Sequence, residues 1–189
     1  MNKDIFPIDS FSPNSYIDIG NFLFNNLYSI YNSGRDIIFI CIGTDRCTGD
    51  SLGPLVGYKV KKALYKYNNL NIFIYGSLET PIHSKNIVNI TNKIYNNFTN
   101  PYIIAIDSSL GLTNNIGKVF IDNDPIYPGS AVNKDLPPIG DLSIKGIVNI
   151  SGSYEFLILQ NTRLYTVVSL ANCISKGILL FINKVYNLT

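Results

Sequence analysis

The stretch IIFICIGTDRCTGDSLGPLVG, residues 37–57, decides how the rest of the chain is read. Its first six residues are continuously apolar and rich in isoleucine, the signature of a strand buried on both faces. Glycine, hydroxyl and acidic residues follow from Gly43 to Gly53, and Pro54 then stands in the first turn of a helix expected over residues 54–67. A strand, a polar loop and a helix in that order form the opening unit of a parallel α/β sheet. The loop itself has four readings: a phosphate cradle, a metal site, a catalytic carboxylate loop or a tight turn.

The unit recurs on both sides. Residues 15–32 carry Ile19, Phe22, Leu23, Leu27 and Ile30 near helical spacing, with Ser15 and Asp18 fitting a capping box and Gly34 closing the helix. Further strands are expected at 72–75 and 102–106, the second ending at Asp107, with a helix at 85–98 between them. After Asp107 the rhythm changes. A short strand is expected at 117–121, then a long loop over 122–145 holding Pro125, Pro128, Pro137 and Pro138. Loops of that length in a compact domain are usually functional. A strand at 146–150 and a closing helix at 162–184 complete the pattern. The expectation is one domain over residues 1–189, a three-layer αβα fold with a mostly parallel central sheet, the amino-terminal helix (1–34) packing on it as an extension.

Composition narrows the function classes. At 189 residues the chain can bury roughly 70% of its unfolded surface without disulfides or a structural metal. A net charge of +2 with 15% charged residues gives no electrostatic footprint for nucleic acid, and Lys59, Lys61 and Lys62 read as the wet face of a helix. Cys41, Cys47 and Cys173 cannot all pair within one chain and match no zinc spacing, which favours reduced, intracellular chemistry. The amino terminus has no continuous apolar stretch of the kind a secretory signal needs. The apolar segment 164–185 is interrupted by Asn172, Lys176 and Asn183 and reads as a buried helix, so no membrane partner is expected.

Ligands of open α/β sheets bind beyond the carboxyl ends of the strands. Three segments leave such ends: GTDRCTGDSLGP with Asp45 and Asp50, GSLETPIH with Glu79 and His83, and DSSLG with Asp107 and Ser108. The first loop fails as a phosphate cradle. Gly49-Asp50-Ser51 stands where a Walker loop has Gly-Lys-Ser/Thr, and Gly43, Gly49 and Gly53 do not give G-x-G-x-x-G. Asp45 and Asp50 would also repel a phosphate at the helix N-terminus.

Asp50 alone reads as a helix cap. Asp107 follows Ile103, Ile104 and Ile106 at the end of a buried strand, where a carboxylate is partly desolvated and wants a partner. If their strands are neighbours, Asp50 and Asp107 face each other, and one of two close carboxyls holds a proton near neutral pH. Such a pair can activate water and then protonate a leaving amine. It can equally bind a divalent metal. His83, the single histidine, rules out multi-histidine metal sites; a structural or surface role at a helix start is expected for it. Cys47 is opposed as a nucleophile by Asp45 and Asp50, and no G-x-S-x-G elbow exists. Asp135, Asp141 and Arg163 in the later loops are outside candidates, with ordinary solvated charge as the plainer reading.

GTDRCTGDSLGP, YGSLETPIH, IIAIDSSLG, YPGSAVNKDLPPIGDLSIKGIVNISG and LQNTRL together, within about residues 38–164, resemble the YyaC-type sporulation proteins, a family related to the germination protease of endospore-forming bacteria. That protease carries a similar Asp-x-Leu-Gly-Pro loop and an aspartate ending an Ile-Asp-Ala strand; its two functional aspartates match Asp50 and Asp107. Its Pro-Gly-Ser-Gly-Val segment is matched by Pro128, Gly129, Ser130, Ala131 and Val132, with Ala131 departing from glycine. The wider fold is similar to the hydrogenase maturation endopeptidases, a phosphorylase/hydrolase-like architecture whose members bind metal through two carboxylates and a histidine. Asp50 and Asp107 match the carboxylates, and no residue here matches the histidine.

The resemblance implies a peptidase-like hydrolase of sporulation or germination, acting in the cytoplasm of the sporulating cell or forespore on a protein or peptide, spore proteins being candidates. Asp50 and Asp107 would be catalytic. Gly43, Asp45, Gly49, Ser51, Gly53, Glu79, Ser108, Pro128, Gly129 and Ser130 would bind or support, with oxyanion-stabilising amides sought near Gly49 to Gly53 or in the Pro128 segment. No cofactor follows with certainty; a divalent metal on the two aspartates is the open alternative. A non-catalytic protein that keeps the fold and binds a spore protein or peptide is the other.

Overall fold

The computed structural model describes residues 7–127 and 137–188. Its elements run β1 (Ile8–Asp9), α1 (Tyr16–Asn32), β2 (Ile37–Cys41), a 3-10 turn (Gly49–Ser51), α2 (Leu52–Leu64), β3 (Ile72–Tyr75), α3 (Ile87–Asn97) and β4 (Tyr102–Gly111). A 3-10 turn (Thr113–Asn115), β5 (Lys118–Asp122), β6 (Leu142–Ile150), α4 (Glu155–Gln160) and α5 (Leu164–Tyr186) follow.

The six strands form one mixed sheet in the order β1-β5-β6-β4-β2-β3. The four strands from β6 to β3 are mutually parallel, while β5 and β1 add antiparallel at the far edge. Every residue of β2 is buried, as its unbroken apolar run requires of a strand covered on both faces. Alternate side chains divide between two cores. Ile37, Phe39 and Cys41 face α1, α2 and α5, whereas Ile38 and Ile40 face α3 with Ile82, Ile126 and Ile139. The molecule is therefore an α/β sheet with helices on both faces, most of the helical mass lying on one.

α5 is long and apolar enough to cross a bilayer by length and composition, yet 61% of its most apolar window is buried inside the protein. It runs between α1 and α2. Small residues let the helices approach: a side chain on Gly177 would strike Ile19, and one on Gly20 would strike Leu180.

Several boundaries differ from the sequence reading, each for a physical reason. Ser15 is not a capping residue. Its backbone is already helical and its hydroxyl lies 3.2 Å from Cys173 Sγ, in the buried seam between α1 and α5. Helix α2 begins at Leu52, so Pro54 is its third residue, still within the first turn where no N–H is required. Strand β6 begins at Leu142 rather than 146, because Leu142 and Ile144 are drawn into the core. Strand β4 does not stop at Asp107 but continues to Gly111, held by β6 on one flank after β2 has ended on the other. The short elements β1 and α4 were not expected; neither has enough residues to show a period.

Candidate active site

Strand order places the site. From β2 the chain goes outward to β3; from β4 it goes outward the other way to β6. The carboxyl ends of β2 and β4 thus flank the point where winding reverses, the crevice where open α/β sheets bind ligands. The loop carrying Asp50 leaves β2, and Asp107 lies on the adjacent β4 just beyond Ile106, the last residue paired with β2. Both acids line one cleft of about 660 Å³.

Two glycines make the loop possible. Gly43 has φ +134°, and a Cβ there would lie 2.0 Å from the Asp50 carbonyl oxygen. That carbonyl accepts the Thr44 amide at 2.9 Å and closes the loop onto itself. Gly53 lets the start of α2 press on the end of β2, since a Cβ would lie 2.0 Å from the Ile42 carbonyl. Next door, the Gly43 amide donates to Ile82 O at 2.7 Å, drawing the segment around Glu79 and His83 to the cleft rim. The opposite wall is α4, anchored to β6 by Asn149, whose side-chain amide donates to Ile158 O and Thr162 Oγ1, both at 3.2 Å.

Burial dominates the electrostatics. It raises the Asp50 carboxyl to about 6, against the opposing pull of the Thr44 amide and the Ser108 hydroxyl, which favour the charged form. Asp107 is pushed well above the ordinary carboxyl range, first by burial and then by the charge of Asp50. The Ser108 amide, donating to Asp107 Oδ1 at 2.7 Å, and Lys145 act the other way. Ser108 thus serves both acids, one through its hydroxyl and one through its amide. Burial thus favours the neutral form of both carboxyls, and most strongly that of Asp107, which also feels the charge of Asp50.

Of the residues expected to support the pair, Gly43, Asp45, Glu79 and Ser108 line the cleft. Asp45 and Glu79 are exposed at its rim, and Glu79 accepts the Ser77 hydroxyl at 2.9 Å. Gly49, Ser51 and Gly53 lie behind it and shape the turn; the Ser51 hydroxyl donates to Thr48 O at 2.7 Å. The amides of Asp50 and Ser51 donate to Cys47 O and Thr48 O, so they are not free to meet an oxyanion. Pro128, Gly129, Ser130, Ala131, Val132 and Asp135 lie outside the described residues.

His83 also lines the cleft. Its Nδ1 accepts the Lys85 amide at 3.3 Å and its backbone carbonyl starts the turn into α3. Cys47 reaches the cleft too, but burial and the Asp50 charge raise its thiol pKa and oppose a thiolate. Asp141 is structural, accepting the Ile103 amide at 2.8 Å at the start of β4, and Arg163 stacks on Tyr165. Among the described residues no group of three or more His, Cys, Asp or Glu side chains is placed to hold a metal ion.

The sequence reading missed Lys145. It is the register partner of Asp107 on β6 and pairs with Asp122 at 3.3 Å. A lone lysine between Ile144 and Gly146 was the available signal, and starting β6 at 142 would have put it on the Asp107 face. The apolar wall of Phe156 and Leu159 was missed with α4 itself.

A family model described as a protein of unknown function, DUF1256, matches residues 8–177. The uncharacterized protein YyaC of Bacillus subtilis (strain 168) is 46% identical over 147 residues, covering 77% of this chain and 69% of the relative. The matched stretch takes in the sheet, both aspartates and most of α5. The chain belongs to the DUF1256 family, of the YyaC type.

Proposed function

We propose that the protein is a peptidase-like hydrolase in which Asp50 and Asp107 activate water against a peptide bond. The observation that carries this reading is the meeting of two acids in one cleft at the ends of adjacent strands, with burial raising both carboxyls. Asp50, ionised, takes a proton from water as that water attacks the peptide carbonyl carbon. Asp107, protonated, first hydrogen-bonds the carbonyl oxygen and then gives its proton to the departing amine as the C–N bond breaks. Ser108 keeps the two carboxyls oriented through its hydroxyl and amide. The finer likeness to the hydrogenase maturation endopeptidases and the germination protease belongs to this reading, as does a setting in sporulation or germination with a spore protein or peptide as substrate.

The test is cleavage of fluorescein-labelled casein by wild type, Asp50→Asn and Asp107→Asn. Loss of at least a hundredfold in each variant, with the urea midpoint retained or raised, is expected. Equal turnover by all three proteins would remove the pair from catalysis. Tight peptide binding with no cleavage by wild type would replace hydrolysis by recognition, the reading that the exposed apolar side chains of Phe156 and Leu157 beside the cleft favour.

A further inference from the structure

Strand β4 is paired unequally. On one flank β6 accompanies it from Ile104 to Gly111. On the other, β2 accompanies it only from Tyr102 to Ile106. The last bond on that flank runs from the Ile42 amide to Ile106 O at 2.8 Å, after which Gly43 turns its amide to Ile82 instead. From Asp107 to Gly111, among the described residues, no strand lies on the β2 flank of β4. Ser108, Ser109 and Leu110 line the cleft there, and the whole stretch is half-buried where Ile103 to Ile106 are fully buried.

Backbone polarity on this flank can be counted. In a strand, the N–H and C=O of alternate residues point to the same side. The Tyr102 amide donates to Asp36 O and Ile106 O accepts from Ile42, so even-numbered residues face β2. The Ile103 carbonyl, accepting the Asp141 amide at 2.7 Å, faces the other way. Ser108 is next on the open flank. Its amide is held by Asp107 Oδ1, leaving its carbonyl directed into the cleft. Between Ser109 and Leu110 the register shifts, with Val148 of β6 left as the extra, unpaired residue.

We infer that the open flank of β4, from Asp107 to Gly111, is a strand-addition site for an extended peptide segment, bound through main-chain hydrogen bonds beside the two aspartates. The segment takes the place that β2 leaves, over a length of about 15 Å at strand rise. Its alternate side chains meet Leu110, Phe156 and Leu159 on one side and the polar rim at Asp45 and Glu79 on the other. A peptide bond lying against Asp107 is thereby delivered to the water that Asp50 activates. The occupant must be extended, which selects unfolded segments, loops and termini over folded surfaces. The inference deepens the hydrolase reading and rests on it only for the cleavage step.

The experiment uses fluorescein-labelled decapeptides tiled along β-casein, with binding read by anisotropy on the Asp50→Asn variant so that bound peptide stays intact. The tightest binder is then made with N-methyl groups at every second residue, in two complementary sets. Addition to one flank uses the amides of one set and leaves the other in solvent. One set should weaken binding by about tenfold or more, the loss of one or two main-chain bonds to the Ser108 and Leu110 carbonyls, and the other by about twofold or less. Equal tolerance of both sets, or no decapeptide bound at about 1 mM, overturns the inference. Casein cleavage by wild type with equal tolerance leaves the hydrolase and removes the strand site. The alternating pattern without wild-type cleavage keeps the strand site and removes the hydrolase.

Discussion

Asp50→Asn should make the protein more stable at neutral pH while removing its activity. Burial raises the Asp50 carboxyl from 3.8 to about 6 on folding. The native state therefore binds more protons than the unfolded state between those values, and stability falls as pH rises through them. Above about pH 6 the full cost is present, and a displacement of about two units corresponds to about 3 kcal/mol. At pH 4 most of it is absent, about 0.5 kcal/mol remaining. Asparagine keeps an acceptor for the Thr44 amide and has no charge to desolvate. It also relieves Asp107 of the Asp50 charge, which acts in the same direction.

Urea titrations of wild type and Asp50→Asn at half-unit steps from pH 4 to 7.5 measure this. The stability difference should start near zero and grow to about 3 kcal/mol in favour of the variant, an upper bound for a partly solvated group. At pH 7.5 that is a rise of about 6–12 °C in Tm for a chain of this size. A difference that stays flat across the range, or grows toward acid, would refute the claim that Asp50 is desolvated by the fold. A stabilised, inactive variant is the expected mark of a charge that the fold holds at a cost because chemistry uses it.

Hydrolysis should rise through about pH 6 as Asp50 ionises and fall at higher pH where Asp107 loses its proton. Lys145→Met removes the positive charge that lowers the Asp107 pKa, so the alkaline limb of the pH–rate profile should move upward, and Lys145→Arg should restore it; an unmoved limb would disconnect Lys145 from the pair. Gly43→Ala places a Cβ 2.0 Å from the Asp50 carbonyl oxygen and should lower the urea-derived stability by more than about 2 kcal/mol while abolishing turnover; a fully stable, active variant would contradict the loop geometry. Treatment with EDTA should leave casein cleavage unchanged, and complete loss restored by one divalent cation would move the chemistry onto a metal.

What could be read from the sequence depended on length and repetition. The strand at Ile72–Tyr75 was expected with both ends correct, and β2 to within one residue, because isoleucine runs bounded by turn residues have few alternatives. That Asp50 and Asp107 line one cleft was reachable because both follow such runs. The two-residue β1 and six-residue α4 were not, since elements that short show no period. Ser15 misled because Ser-x-x-Asp marks a cap by local chemistry alone, whereas a partner 158 residues away decides where the hydroxyl points.

The error at Asp107 carries the most consequence. Sequence reading ended β4 at the first charged residue, on the assumption that a carboxylate marks the edge of the sheet. A strand has two flanks, however, and they need not end together. Here β2 stops opposite Ile106 while β6 continues to Gly111. Asp107 is therefore inside a strand on one side and at a sheet edge on the other. The interior side supplies the burial that raises its pKa, and the open side supplies access to the cleft. A residue at a true strand end would be more solvated and would ionise like an ordinary carboxyl, giving no acid partner for Asp50. The unequal ending of β2 and β6 is thus the single feature of the fold from which both the burial that raises the Asp107 carboxyl and, among the described residues, the open flank of β4 follow.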